Sequence, residues 1–282
     1  MTPGIGFALA AMVCFGASDL IYKRAAMRGV DGRQFAMLQS WVFVPSVTAY
    51  AWLTGTLDVH WSAIWGALAG FFLLVAVVNF VASLQSGAVS TTAPVFRLNF
   101  AITVALAILL LGETLNAAKI TALAATLGAV WLLLAVPRAH SASVDMKSLT
   151  RVLVATLAMG CGNFCYKLGV IAGASPETMI AAQGWLFGPA ATLLFWIERR
   201  RFALTAGAWR HTSAAAIILV AGFILLLHGL ATGYASVLVP VAQMSFVVTA
   251  LLGAAIFHEP LTGRKYLGLA VTAAALALFA AS

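Results

Sequence analysis

One arginine lies deep within a segment that is apolar enough to cross a membrane. Arg97 follows Ser90 and Pro94, and the apolar sequence after it continues to Gly112. A guanidinium at such depth costs from a few to more than about ten kcal/mol unless it is paired or hydrated. Its planar fork can donate two parallel hydrogen bonds to a carboxylate. Arg97 is therefore the first candidate binding residue.

Asp19 is the one acidic residue well inside a predicted span. It can serve as a counter-ion for Arg97 or as a titratable coupling site, since burial favours a neutral carboxyl while a nearby cation opposes this. A solvated residue near the membrane surface or a purely structural ion pair is the alternative. Both interpretations stay open from the sequence.

A tyrosine followed by a lysine occurs twice, as Tyr22-Lys23 and Tyr166-Lys167. One interpretation is interfacial anchoring, with the tyrosine in the aromatic belt and the lysine reaching to water. The other is that Tyr22 and Tyr166 gate the pathway.

Glutamine and tryptophan also recur two residues apart, as Gln39 with Trp41 and Gln183 with Trp185. The amides suit hydrogen bonds between helices. The indoles of Trp41 and Trp185 can instead offer stacking surfaces to an aromatic or cationic substrate.

Further polar residues are spaced to face one cavity. Asn79 and Ser83 are four residues apart, as are His228 and Thr232, so each pair shares a helix face. Hydrogen bonding between helices is the alternative. We expect three more amides to shape the same cavity, Asn99, Asn163 and Gln243.

Glu113 and Glu259 begin the breaks after the fourth and ninth spans. We expect each carboxylate to meet the free amides at the start of the next helix. No nucleophile, nucleotide-binding or metal-ligand motif is present in the sequence, so no catalytic residue, metal or cofactor is expected.

The composition identifies the class of protein. Of 282 residues, 63% are hydrophobic and 9% are charged, with a mean hydropathy of +1.02. A soluble domain carries about 25% charged residues, so this chain is an integral membrane protein. Apolar runs of about 20 residues favour helices over barrel strands.

Breaks at Pro, Gly and charge clusters give ten predicted spans, with no soluble domain between them. They cover residues 4–24, 33–54, 62–84, 88–111, 116–136, 151–172, 177–197, 212–232, 235–257 and 262–281.

The net charge of +8 reflects membrane topology rather than binding to nucleic acid. Thirteen of the lysines and arginines fall on one side of the ten spans, against Lys119 and Lys167 on the other. The positive-inside rule places the richer side in the cytoplasm and both termini in the periplasm of a bacterial inner membrane.

The chain contains an internal repeat. At an offset of 144, Gly16 falls on Gly160, and at an offset of 146, Pro94 falls on Pro240. The expected units are 1–137 and 151–282, joined by a cytoplasmic linker at 138–150. Because each unit has five spans, the second must enter the membrane in the opposite sense.

Two five-helix units with a proline in the fourth span, closed by Gly112-Glu113 or His258-Glu259, resemble the EamA domains of the drug/metabolite transporter superfamily. The resemblance covers essentially the whole chain. It implies that spans 1, 3, 4, 6, 8 and 9 line a central cavity while 5 and 10 are peripheral. It also implies export of amino acids or other small metabolites.

We therefore expect an all-α integral membrane protein, ten transmembrane helices in two inverted five-helix repeats, that works as a secondary transporter and not as an enzyme. The substrate is expected to be an amino acid, including aromatic or other hydrophobic ones. Amines, quaternary cations or drugs are the alternative substrates, and a non-transporting membrane enzyme or scaffold is the alternative class. The expected partners are a small-molecule substrate and the bilayer, with a monomer favoured over a homodimer.

Overall fold

The computed structural model describes residues 4–86, 89–134, 146–198, 202, 205–258 and 262–281. Within these residues the chain forms twelve α-helices, one short 3-10 helix before α3, and no strand. The helices are α1 Ile5–Met27, α2 Gly32–Leu53, α3 Ile64–Ser86, α4 Val89–Arg97, α5 Asn99–Leu111, α6 Ala117–Leu134, α7 Met146–Ile171, α8 Pro176–Ile197, α9 Ala206–Thr232, α10 Ala235–Gln243, α11 Ser245–Phe257 and α12 Gly263–Ala281.

The predicted all-α membrane fold is confirmed. In the described part of the chain, nine segments are long and apolar enough to cross a membrane, counting α4 with α5 and α10 with α11 as one segment each. The helix α2 is the tenth, and its 22 residues give it the length to span. Polar residues such as Arg33, Gln34 and Gln39 lower its hydropathy.

Two helices begin earlier than their predicted spans. The sixth span was expected from residue 151, but α7 begins at Met146; the eighth was expected from 212, but α9 begins at Ala206. A helix continues beyond the hydrocarbon where its first turn is capped, and Thr205 Oγ1 accepts the amide of Ala208 at 3.1 Å. Residues 138–145 of the expected linker lie outside the described residues.

Contacts between helix ends define two faces. The end of α1 meets the start of α9 through Arg28 Nη1 and His211 Nε2, 3.2 Å apart, and Arg151 on α7 donates to the carbonyl of Ala82 on α3. We call this side, where α1 ends and α7 begins, the basic face. The α7 helix is the repeat equivalent of α1, so the two units run in opposite senses. The other side is called the opposite face.

The fourth and ninth spans are each interrupted four residues after a proline. Pro94 and Pro240 lack an amide hydrogen and crowd the preceding turn. The chain tightens there into a 3-10 turn, with the Leu98 amide bonded to the Val95 carbonyl at 3.0 Å. The same turn in the second unit bonds the Met244 amide to the Val241 carbonyl at 3.1 Å.

Two glycines allow the first helix of each unit to approach the helix after the interruption. An ideal Cβ on Gly160 of α7 would lie 2.5 Å from Ile102 Cβ and 2.8 Å from the Asn99 carbonyl oxygen on α5. An ideal Cβ on Gly16 of α1 would meet Val248 of α11 in the same way, at 2.5 Å. These close approaches position the polar residues of the candidate site.

Candidate functional site

Arg97 and Asp19 form an ion pair inside the membrane-spanning region. Arg97 Nη2 lies 2.9 Å from Asp19 Oδ2, and Arg97 Nη1 donates to Ser245 Oγ at 3.3 Å. Arg97 is the last residue of α4, and Asp19 lies in the middle third of α1. The side chains remain 23% and 31% exposed, so a polar ligand can reach them.

A threonine completes the group that surrounds this ion pair. Thr249 Oγ1 lies 3.1 Å from the carbonyl of Ser245, 3.2 Å from that of Gly16 and 3.4 Å from Asp19 Oδ2. It therefore links the glycine contact of α1 to the carboxylate. We call Asp19, Arg97, Ser245 and Thr249 the charged cluster.

The repeat places an uncharged counterpart in the other half of the molecule. Asn163 Nδ2 donates to Asn99 Oδ1 at 3.2 Å, and Thr103 Oγ1 donates to the Gly160 carbonyl at 3.0 Å. Asn163 is the repeat equivalent of Asp19, Asn99 of Ser245, and Thr103 of Thr249. We call Asn99, Thr103 and Asn163 the neutral cluster.

The two clusters differ in accessibility as well as in charge. Asn99 and Asn163 are 1% and 3% exposed. The half-helices beside the clusters differ in the same direction, since residues 235–242 of α10 are all buried while residues 93–97 of α4 are partly exposed. Gln243, the repeat equivalent of Arg97, is partly buried at the end of α10. The side chains of Arg97 and Asp19 are thus partly accessible, whereas the neutral cluster is buried.

Tyr22 and Tyr166 donate hydrogen bonds to glutamines rather than to solvent. The Tyr22 hydroxyl bonds Gln39 Oε1, and the Tyr166 hydroxyl bonds Gln183 Oε1. Each bond joins the first and second helices of one unit. Tyr166 is only 3% exposed, so the interfacial-anchor interpretation is wrong for its ring. The amides of Gln39 and Gln183 act between helices, as their recurrence suggests.

Trp41 and Trp185 lie away from the charged cluster, at the contact between α2 and α8. Trp41 Nε1 donates to Thr192 Oγ1 at 3.0 Å, and Trp185 Nε1 donates to Thr48 Oγ1 at 3.1 Å. Both indoles are exposed. This pair of reciprocal bonds joins the two units.

Asn79 and Ser83 bond within their own helix. Asn79 Nδ2 donates to the Val75 carbonyl at 2.9 Å, and Ser83 Oγ donates to the Phe80 carbonyl at 2.6 Å. Ser83 is fully buried, whereas Asn79 is partly exposed. Of the two, Asn79 has the accessibility that a ligand contact requires.

His228 lies beside a buried carboxylate that the sequence analysis missed. His228 Nε2 lies 3.7 Å from Glu177 Oε1, and His228 Nδ1 lies 2.9 Å from the Ile224 carbonyl. Glu177 follows Pro176 in the first turn of α8, where acidic residues are common because they interact favourably with the helix dipole. No local pattern distinguishes it, because its partner, His228, is 51 residues away in sequence.

Glu113 caps a helix of the other unit, so the predicted partner is wrong. Its two carboxylate oxygens accept the amides of Ala235 and Ser236 at 2.8 and 2.9 Å, at the start of α10. The helix that follows Glu113 is capped by Asn116, whose Oδ1 accepts the Lys119 amide at 2.8 Å. The first amides of α10 are buried and lack acceptors within their own helix, so they require this carboxylate. Glu259 lies outside the described residues.

A family model for EamA-like transporters matches residues 2–135 and again 146–281. The chain belongs to the EamA-like transporter family. The resemblance to the drug/metabolite transporter superfamily is thereby confirmed, and with it a function in transport rather than catalysis. The first match covers α1 to α6, and the second covers α7 to α12.

Comparison with curated proteins finds no match. Among solved structures, 29 chains match. One of them, titled only as the crystal structure of a protein, has a TM-score of 0.83 over 98% of this chain and 95% of its own. At 15% identity, this similarity shows the fold alone and does not indicate a substrate.

Proposed function

We propose that this EamA-like protein is a secondary transporter that exports small metabolites, amino acids first among them, by alternating access. The observation that carries the proposal is the accessible ion pair of Arg97 and Asp19, at the interruption of a membrane-spanning helix. Interrupted helices form the substrate sites of many secondary transporters, because their free ends and side chains meet near the bilayer midplane.

The charged cluster is complementary to a zwitterion. The Arg97 guanidinium can bind the carboxylate of an amino acid through two hydrogen bonds. The Asp19 carboxylate can accept hydrogen bonds from the ammonium group of that amino acid. In the structure the two side chains neutralise each other at 2.9 Å. A zwitterion can therefore replace this ion pair by two others without leaving an uncompensated charge in the membrane.

Alternating access is supported by the unequal burial of equivalent half-helices. The α10 helix begins at the opposite face, is buried along residues 235–242 and is capped by Glu113. The α4 helix begins at the basic face and is partly exposed along residues 93–97. We interpret this conformation as open towards the basic face, and exchange of the two arrangements would expose the site to the other side.

Organic cations are the second candidate substrates. The specific observation in their favour is Asp19, whose partly exposed carboxylate belongs to the charged cluster and faces Thr249. An amine or quaternary ammonium ion would pair with Asp19 and leave Arg97 without a role in recognition. The two candidates therefore differ in which charge of a ligand is required.

A derivative series tests the proposal. Purified protein in liposomes is offered phenylalanine, N-acetylphenylalanine, which lacks the ammonium group, and phenylalaninamide, which lacks the carboxylate. For an amino acid transporter we expect flux of phenylalanine only, with each derivative reduced about tenfold or more, since one lost charged hydrogen bond costs about 1.5–3 kcal/mol. Flux of the amide alone identifies a cation transporter. If neither these compounds nor a wider panel of amino acids and amines is transported, the proposal fails.

We also propose the orientation and working unit of this protein. The basic face is assigned to the cytoplasm of a bacterial inner membrane by the positive-inside rule, which places both termini in the periplasm. The monomer holds both clusters and is taken as the working unit. Alkaline phosphatase fused to the C-terminus is expected to be active, because this enzyme functions in the periplasm. Activity of a green fluorescent reporter at that terminus, with an inactive phosphatase, would reverse the orientation.

A further inference from the structure

A crevice of about 360 Å³ opens between the end of α1 and the start of α9, on the basic face. It is separate from the charged cluster. Three arginines and a histidine line it, together with small or apolar residues. The lining consists of Ile21, Arg24 and Arg28 from α1 and Ala206, Gly207, Arg210, His211 and Ala214 from α9.

The positive charge of the crevice is not neutralised by the part of the chain that the structure describes. Arg24 and Arg210 form no ion pair with another described residue. Arg28 Nη1 donates to His211 Nε2, and His211 Nδ1 donates to the Gly207 carbonyl, so this histidine supplies no negative charge to the crevice. Two acidic residues near this face are engaged elsewhere, since Asp31 caps α2 and Glu198 pairs with Arg33.

Backbone groups add to the attraction for an anion. Ala206 and Gly207 are the first two residues of the 27-residue helix α9. Their amides have no acceptor four residues back within the helix, and the positive end of the helix dipole lies there. The Thr205 side chain serves the later amide of Ala208 instead.

The crevice changes from charged to apolar with depth. Because α1 ends at the basic face, Ile21 lies about 10 Å deeper along the helix axis than Arg28, at 1.5 Å per residue. Because α9 begins at that face, Ala214 lies about 12 Å deeper than Ala206. A cluster of solvated basic residues does not require an apolar floor. A phospholipid matches this arrangement, because its anionic phosphate lies above apolar acyl chains.

We propose that this crevice binds a phosphate group, and that its apolar floor selects the phosphate of an anionic membrane phospholipid over free phosphate. Arg24, Arg28 and Arg210 bind the phosphate oxygens, together with the amides of Ala206 and Gly207 at the start of α9. Ile21 and Ala214 contact the start of an acyl chain. Basic pockets between helices at a membrane boundary are suited to this chemistry.

The first experiment compares two sets of charge removals. The variant Arg24→Gln/Arg28→Gln/Arg210→Gln removes the crevice arginines, and Lys147→Gln/Arg151→Gln/Lys265→Gln removes three charges elsewhere on the basic face. Binding of phosphatidylglycerol to the detergent-purified proteins is measured by native mass spectrometry, with phosphatidylcholine as the neutral lipid. We expect about a tenfold or greater loss of phosphatidylglycerol affinity in the crevice variant only. Equal loss in both variants, or none in either, overturns the proposal.

A second variant leaves every charge in place. Ala214 is exposed, so Ala214→Trp fills the floor of the crevice without disturbing the helix core. We expect this variant to lose phosphatidylglycerol while the melting temperature keeps its response to inorganic phosphate at millimolar concentration. If wild-type protein responds to inorganic phosphate but does not retain phosphatidylglycerol, the site takes a free anion and the lipid assignment is wrong.

Discussion

Arg97→Gln is expected to abolish substrate transport and to lower the free energy of unfolding by about 1–3 kcal/mol, between the values for exposed and buried ion pairs. The variant leaves Asp19 without its partner at 2.9 Å. Adding Asp19→Asn is expected to recover most of the lost stability, because no unpaired charge then remains. In the second unit, Asn163 and Gln243 occupy the equivalent positions, which indicates that the fold tolerates uncharged side chains there.

Stability and transport should therefore separate in the double variant. Thermal unfolding in detergent measures the first, and flux of the wild-type substrate into liposomes measures the second. Asn163→Asp provides the matched control, since it adds a carboxylate to the neutral cluster and leaves the charged one intact. If Arg97→Gln/Asp19→Asn transports the substrate like the wild type, the charged cluster has no part in transport.

Gly160→Ala is expected to destabilise the protein by about 1–3 kcal/mol or more, the usual cost of overpacking. The added Cβ would lie 2.5 Å from Ile102 Cβ and 2.8 Å from the Asn99 carbonyl oxygen, neither of which can move without shifting α5. Gly16→Ala is expected to have a similar effect against α11, because its contact with Val248 Cβ is equally short.

Gly128→Ala is the matched control for these glycine variants. It lies within α6, and an ideal Cβ there meets nothing within 4 Å. Its expected effect is a gain of about 0.5–1 kcal/mol, since alanine loses less backbone entropy than glycine in a helix. Thermal unfolding of the three variants makes the comparison. Equal stability of Gly160→Ala and Gly128→Ala would mean that α7 and α5 do not approach as closely as described.

Hydropathy and the repeat predicted the architecture because both are local or periodic properties of the chain. Apolar runs predicted the spans, and the duplication predicted the inversion. Helix starts were predicted less well. Polar residues follow both starts, Lys147 and Ser148 in α7 and Arg210, His211 and Thr212 in α9, so hydropathy places those starts too late.

Side-chain partners were predictable only where chemistry restricts the choice. Arg97 lies inside the membrane and requires an anionic partner. Because Asp19 is the acidic residue deep in a predicted span, the sequence predicted that the two would be close. Glu113, by contrast, precedes the start of α6 in the sequence, but in the fold its carboxylate binds the amides at the start of α10. Trp41 and Trp185 lie at the contact between α2 and α8, which the sequence did not indicate, because residue spacing along a helix does not specify which neighbouring helix each residue meets.

The cap of α10 by Glu113 links residues 122 positions apart, and it has a consequence for biosynthesis. When the first five spans have left the ribosome, Glu113 has been synthesised, but Ala235 and Ser236, whose amides it will accept, have not. Until the ninth span inserts, the Glu113 carboxylate lies at the membrane boundary without the amides of Ala235 and Ser236. The cap therefore closes only after α10 has arrived, and the first half of the chain cannot complete it alone.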